Sequence, residues 1–142
     1  MSEVTVQANR MVPCDQLNGA NDTIQPLLDA ATKAYNEYPL RPIDMVWPLS
    51  ALRGTYIHSY FAAEVTGLGA PYSAEVSYLG GVPVPYGTPG SIRADATVGP
   101  INAPLYAVEL KSGAALPTPA ETAAYRANLP PGTGLCSIVE GL

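Results

Sequence analysis

Three short stretches in the second half of this chain alternate apolar and polar residues, and each carries a carboxylate. They cover residues 72–79, 91–98 and 105–111, and a glycine follows each of the first two. Because successive side chains of a strand point to opposite faces, this period of two predicts three consecutive β-strands. The apolar face is expected to hold Tyr72, Ala74, Val76 and Tyr78 in the first stretch and Ile92, Ala94, Ala96 and Val98 in the second. The carboxylates Glu75, Asp95 and Glu109 are then expected on the opposite face.

Helical patterns surround these strands. Apolar positions at helical spacing predict helices over 21–38 and 49–66, and Thr118-Pro-Ala-Glu121 is a capping-box start for a third that reaches about Asn128. A last strand is expected over 135–140. The order α, α, β, β, β, α, β predicts an α+β or mixed α/β fold, with a central mixed sheet of about four strands flanked by helices.

The N-terminal third is the least informative part of the chain. Residues 1–20 contain a short alternation at Val4 and Val6, which predicts an edge strand or an arm. We therefore divide the chain into an arm and helix over 1–48, to which the sequence assigns no role, and a core over 49–142. Both parts are expected to belong to one compact domain.

Composition limits the classes of function. Hydrophobic residues make up 47% of the 142 residues and charged residues 13%, which is typical of a globular chain. The net charge of −5 argues against a simple nucleic-acid groove binder. A metal-dependent nuclease tolerates this charge, because bound cations neutralise its acidic site. No apolar run predicts a membrane segment, and the N-terminus lacks a signal-peptide pattern.

The two cysteines, Cys14 and Cys136, lie far apart and form no CxxC motif. We expect two buried free thiols. The alternative is a bridge that ties the N-terminal segment to the last strand.

The spacing of Glu109 and Lys111 favours hydrolytic chemistry on phosphodiesters. Such hydrolysis uses a hard cation held by oxygen ligands, and a lysine beside a ligand can orient water or stabilise charge. Period two places Glu109 and Lys111 side by side, and Asp95 lies on the preceding strand if 99–104 forms a hairpin turn. The alternative is that these residues form a solvated strand face without chemical function. For Glu75 alone, the alternative is an ordinary exposed strand position.

These residues resemble a known signature. Asp95 followed by Glu109-Leu-Lys111 resembles the D…(D/E)xK motif of the PD-(D/E)XK nuclease superfamily. The surrounding pattern, which covers about residues 50–142, is similar to the nuclease domains that end bacterial polymorphic toxins. It comprises Arg53-Gly-Thr-Tyr-Ile-His58 with Phe61, then Glu75, Gly87-Thr-Pro-Gly-Ser-Ile-Arg93-Ala-Asp95, Tyr106-Ala-Val-Glu-Leu-Lys-Ser-Gly113 and Leu116-Pro-Thr-Pro.

The sequence departs from the family pattern at two places. Ala94 replaces the proline that usually precedes the aspartate, and Glu121-Thr-Ala-Ala-Tyr125 stands where relatives often carry QxxxY. We explain Glu121 as the capping-box partner of Thr118 and assign it no chemistry. Tyr125 is expected to pack in the core, from which its hydroxyl could reach the site.

The resemblance implies a restriction-endonuclease-like fold and a site. Glu75, Asp95 and Glu109 would bind Mg²⁺ or Mn²⁺, and Lys111 would position the nucleophilic water or stabilise the pentacovalent phosphate. His58 would lie at the mouth of the site, where it contacts phosphate or orients water. A hydrogen-bonded helix histidine is the alternative for His58.

The resemblance also implies a biological role. The protein would be a DNase toxin, part of a larger secreted protein, that is delivered by a contact-dependent or other secretion system and acts in the cytoplasm of target bacteria. A cognate immunity protein would neutralise it. Two alternatives remain open: an RNase of the same fold, and a non-catalytic interaction or structural module of a phage or secretion apparatus.

Overall fold

The computed structural model describes residues 10–17 and 21–141, which form a mixed sheet flanked by helices. The helices are α1 (Asn21–Glu37), α2 (Leu49–Leu68) and α3 (Pro119–Asn128). The strands are β1 (Val12–Pro13), β2 (Tyr72–Leu79), β3 (Val82–Val84), β4 (Ile92–Val98), β5 (Tyr106–Leu110) and β6 (Gly134–Ile138). The predicted alternation at Val4 and Val6 lies outside the described residues. Within the described part of the chain, no helix combines the length and apolar character needed to cross a membrane.

The six strands lie in the order β1-β6-β5-β4-β2-β3. The pairs β2–β3, β2–β4 and β4–β5 are antiparallel, whereas β5–β6 and β1–β6 are parallel. The predicted mixed α+β fold is confirmed, but the expected number of about four strands is wrong. The two additional strands are edge strands of two and three residues, each containing a proline. They are too short to show alternation, and proline is tolerated at a sheet edge.

Two apolar clusters cover the two faces of the sheet. The first joins α1 and α2 to the sheet through Ile24, Leu27, Ile57, Phe61, Val65, Val108 and Leu110, with others. The second joins α3 to the sheet through Tyr78, Ala107, Tyr125, Leu129 and Leu135, with others. Since Ala107 and Val108 are successive residues of β5, the two clusters lie on opposite faces. The sheet is therefore covered by α1 and α2 on one side and by α3 on the other.

Strands β2 and β4 change face in mid-strand. Ala74 and Ala96, which are paired, pack in the first cluster, while Val76 and Ala94, also paired, pack in the second. Residues two apart in a regular strand would share a face, so the predicted single apolar face of each strand is wrong. In β2 the physical cause lies at Glu75, whose φ of 55° breaks the pleat between Ala74 and Val76.

The N-terminal segment is covalently tied to the sheet by a disulfide between Cys14 and Cys136. The expectation of two free thiols is therefore wrong. Val12 pairs with Cys136 in the parallel β1–β6 ladder, which brings the two cysteines together from opposite ends of the chain. No local pattern in the sequence predicts this contact, because it depends on a two-residue strand that forms only by pairing with β6.

Buried polar contacts join the N-terminal third and α2 to the strand ends near the site. Tyr35 of α1 donates a hydrogen bond to the Lys111 carbonyl oxygen at 2.6 Å. Arg53 of α2 makes two 2.7 Å bonds to the carboxylate of Glu140, which also accepts the Gly113 N–H at 2.8 Å. A bidentate, charge-assisted pair of this kind fixes the orientation of the guanidinium and the carboxylate as well as their distance. The helices on this face are thus anchored just beyond β5 and β6.

Candidate active site

Asp95 lies where the pairing of β4 with β5 stops. The last paired residues are Ala96 and Val108, and beyond them the Asp95 carboxylate Oδ2 accepts the Leu110 N–H at 2.7 Å. The side chain therefore does what a backbone carbonyl would do in a continuing ladder. This bond fixes a buried carboxylate beside the segment that carries Glu109 and Lys111.

His58, on α2, connects that helix to β5. Its Nε2 lies 2.8 Å from the Leu110 carbonyl oxygen and 3.6 Å from Asp95 Oδ2, and its Nδ1 lies 2.8 Å from the Gly54 carbonyl oxygen. Carbonyl oxygens only accept hydrogen bonds, so two donating N–H groups, and hence the imidazolium form, satisfy this arrangement best. In agreement, the Asp95 carboxylate raises the pKa of His58 to about 9. Both ring nitrogens are engaged by the backbone.

Glu109 is buried on the α3 side of β5. Its Oε2 accepts a hydrogen bond from the Tyr125 hydroxyl, which also lies 2.8 Å from the Arg93 carbonyl oxygen. Burial, and next the Asp95 carboxylate, raise the pKa of Glu109 to about 7. Tyr125 packs in the second cluster as predicted, and its hydroxyl reaches the site. A bound cation would relieve the repulsion that the Asp95 carboxylate exerts on a charged Glu109.

Lys111 lies between two carboxylates from different elements. Its Nζ is 2.6 Å from Glu121 Oε2 and 3.5 Å from Glu109 Oε1. Burial alone would lower the pKa of Lys111, but these carboxylates raise it above its ordinary value. The ammonium group is therefore kept charged and is held on the α3 side of the sheet.

Glu121 is the residue that the sequence reasoning left out of the site. The predicted capping box is confirmed: Thr118 Oγ1 accepts the Glu121 N–H at 3.1 Å, and Glu121 Oε1 accepts the Thr118 N–H at 3.1 Å. Its second oxygen, Oε2, binds Lys111. A signal was present, since Glu121 occupies the glutamine position of the QxxxY pattern. The capping role was sufficient to explain the residue, and so the second role was missed.

Glu75 does not join this group through any contact of its carboxylate. It is exposed, and among the described residues its carboxylate takes part in no hydrogen bond or ion pair. It stands opposite Asp95, between the pairs Ala74–Ala96 and Val76–Ala94. Hence the structure brings Asp95, Glu109, Lys111 and His58 together, and leaves Glu75 at the neighbouring position with its side chain in solvent.

Asp95 and Glu109 are oxygen donors, the type of ligand that a hard cation prefers. Within residues 10–17 and 21–141, no three or more His, Cys, Asp or Glu side chains are grouped closely enough to hold a metal ion. Mg²⁺, however, usually keeps several waters and binds through one or two carboxylates. Asp95 and Glu109 are the residues that could hold it, since both are buried carboxylates and Asp95 contributes to the raised pKa of Glu109.

Comparison of the chain with protein-family models, with curated proteins and with solved structures found no match. The function is therefore inferred from the geometry of the site and from the resemblance of its motifs.

Proposed function

We propose that this protein is a metal-dependent endonuclease that hydrolyses phosphodiester bonds of DNA, with a restriction-endonuclease-like core. One observation carries the proposal: two buried carboxylates and a lysine meet where β4 stops pairing with β5. Asp95 binds the Leu110 N–H at 2.7 Å, and the flanking residues Glu109 and Lys111 approach each other to 3.5 Å. A solvated strand face would instead leave these side chains exposed and apart.

Each residue has a defined task in this proposal. Mg²⁺ or Mn²⁺, when bound, would neutralise the negative charge that develops on the phosphoryl oxygens and would lower the pKa of the attacking water. Asp95 and Glu109 would hold the cation, and Lys111 would offer its ammonium group to the phosphate oxygens. Tyr125 orients Glu109, and Glu121 holds Lys111 in place. His58 fixes the Leu110 carbonyl and faces Asp95, which keeps the segment between the carboxylates rigid.

We further propose, from the motif resemblance, that the protein is a toxin. It would be delivered as part of a larger secreted protein, cleave DNA in the cytoplasm of target bacteria, and be neutralised by a cognate immunity protein. Expression in the cytoplasm of a bacterium tests this role. The wild type should stop growth, and the Lys111→Ala variant should not.

The chemistry is tested by incubating purified protein with Mg²⁺ or Mn²⁺ and either plasmid DNA or total RNA. We expect plasmid cleavage that is lost in Glu109→Ala and in Lys111→Ala, while circular dichroism shows that both remain folded. Lys33→Ala is the matched control, since it removes a lysine that is largely exposed and paired with Glu64 on the helices. Full activity in both site variants would refute the mechanism. Cleavage of RNA alone would assign the activity to an RNase.

An interaction module is the second candidate, and an exposed apolar segment favours it. Ile43, Val46 and Trp47 are 56%, 63% and 77% exposed, which is unusual for such side chains in one short segment. Calorimetry discriminates between the two functions. Absence of Mg²⁺ and Mn²⁺ binding, together with harmless expression, would favour the interaction module.

A further inference from the structure

Arg93 is an exposed cation that is stacked on an aromatic ring. Its Cζ lies 4.8 Å from the centroid of the Tyr86 ring. Among the described residues, no carboxylate lies within salt-bridge distance of Arg93. By contrast, four other basic side chains form ion pairs with a carboxylate: Lys33, Arg41, Arg53 and Lys111. In a chain with a net charge of −5, the guanidinium of Arg93 is therefore a cation with no carboxylate partner among residues 10–17 and 21–141.

The Tyr86 ring is 79% exposed, so its position is not explained by core packing. It belongs to a loop that is ordered by two turns. The Thr88 N–H donates to the Pro85 carbonyl at 3.2 Å, and the Ser91 N–H donates to the Thr88 carbonyl at 3.1 Å. Stacking on a ring leaves the in-plane N–H groups of a guanidinium available, and these groups match phosphate geometry. The second face of the ring is accessible to another planar group.

The pair lies close to the proposed site along the same strand. Arg93 precedes Asp95 by two positions in β4, so their Cα atoms are about 7 Å apart at the usual rise of a strand, and the change of face in β4 falls between them. A nucleic-acid strand carries one phosphate per ~3.4 Å of axis, so this distance is within about two nucleotides. The Arg93 carbonyl is also held by the Tyr125 hydroxyl at 2.8 Å, and that hydroxyl binds Glu109. The position of Arg93 is thereby coupled to the carboxylates.

We propose that Arg93 and Tyr86 form a nucleic-acid subsite next to the scissile phosphate. The guanidinium binds a neighbouring phosphate of the backbone, and the Tyr86 ring stacks with the adjacent base. This inference rests on the proposed nuclease function, which it deepens. It would also give this acidic chain a positive charge for a phosphate of the nucleic acid.

The test measures binding of labelled single-stranded DNA and RNA by fluorescence anisotropy, in the Lys111→Ala background so that the probe is not cleaved. Arg93→Ala should weaken binding roughly 5- to 30-fold and lower the dependence of log K on log salt by about one phosphate contact. Tyr86→Ala should weaken it several-fold, whereas Tyr86→Phe keeps the stack and should bind normally. Lys33→Ala, a charge-matched control, should change affinity less than about twofold.

Thermal unfolding of every variant provides the control for folding. If Arg93→Ala matches Lys33→Ala in affinity and in salt dependence, the subsite is overturned. Plasmid cleavage by the same variants with Lys111 intact would then show that the proposed function stands without it. If wild-type protein neither binds nor cleaves either nucleic acid, the proposed function fails and the subsite fails with it.

Discussion

Glu75 stands opposite Asp95 in the β2–β4 ladder, and the alternation of side chains in both strands changes at that position. The φ of 55° at Glu75 places a non-glycine residue in the left-handed region in the middle of a strand. Such conformations cost about 1–3 kcal/mol and concentrate at functional sites. Here the change of face accompanies the turn of the Asp95 carboxylate towards β5, where it binds the Leu110 N–H.

The backbone at Glu75 can be tested directly. Glu75→Val should be less stable than Glu75→Gly by roughly 1–2 kcal/mol, because a β-branched residue is strained at positive φ and glycine is not. Chemical denaturation measures the difference. Ser73→Val, two residues earlier in the same strand, is the control and should show no such penalty relative to Ser73→Gly. Equal stabilities of the two Glu75 variants would contradict the positive φ.

The ion pair between Lys111 and Glu121 predicts that a change at Glu121 lowers the activity and leaves the stability nearly unchanged. Glu121→Gln keeps a side chain that can complete the capping box with Thr118, but it removes the charge that holds the Lys111 ammonium. We expect plasmid cleavage to fall about 10-fold or more, while the free energy of unfolding changes by less than about 1 kcal/mol. Glu64→Gln, at an exposed ion pair, is the control. Unchanged cleavage in Glu121→Gln would show that Lys111 needs no anchor.

His58 predicts a loss of stability in alkaline solution. Its pKa is raised to about 9 in the folded protein, above the value of about 6.5 in an unfolded chain. The imidazolium therefore stabilises the fold fully below pH ~6.5, and this contribution is lost as the pH rises through about 9. We expect the difference in Tm between the wild type and His58→Gln to shrink between pH 6 and pH 10. A difference that stays constant over this range would contradict a charged His58.

The disulfide predicts sensitivity to reductant. Cys14 and Cys136 are separated by 122 positions, so the bond closes nearly the whole chain into one loop. Its loss should lower stability by about 2–5 kcal/mol and release the two-residue strand β1 from β6. Thermal unfolding with and without dithiothreitol measures the effect. The Cys14→Ala/Cys136→Ala double variant should unfold at the lower temperature in both conditions, and a reductant effect in that variant would point to another cause.

Local patterns predicted the three helices and four of the strands, because these depend on neighbours in the chain. The hairpin over 99–104 was also predicted, and Leu105 N–H donates to the Val98 carbonyl at 2.8 Å. The predicted capping box at Thr118 is present for the same reason. An edge strand or an arm was predicted within residues 1–20, where β1 lies, but the bounds of β1 and β3 could not be predicted, because segments of two and three residues show no periodicity and form only where a neighbouring strand offers hydrogen bonds.

In the site, the spacing of Glu109 and Lys111 was enough to place them together, since both lie at the end of one strand. The partners of these residues could not be predicted in the same way. Glu121 comes from the first turn of α3 and His58 from the middle of α2, and each meets the strand end through packing of a helix on a different face. The faces of β2 and β4 were predicted wrongly: the positive φ at Glu75 breaks the alternation in β2, and β4 changes face at the position opposite.

The sequence by itself determined the order of the elements, the caps and the acidic and basic residues at the end of β5. Tertiary structure alone decided the Cys14–Cys136 bond, the change of face at Glu75 and Asp95, and the two anchors at Lys111 and His58. The physical reason is the separation along the chain of the residues that make each contact. Periodicity and capping arise from contacts within a few residues, whereas these four features join segments that meet only after the sheet has formed and both of its faces are covered.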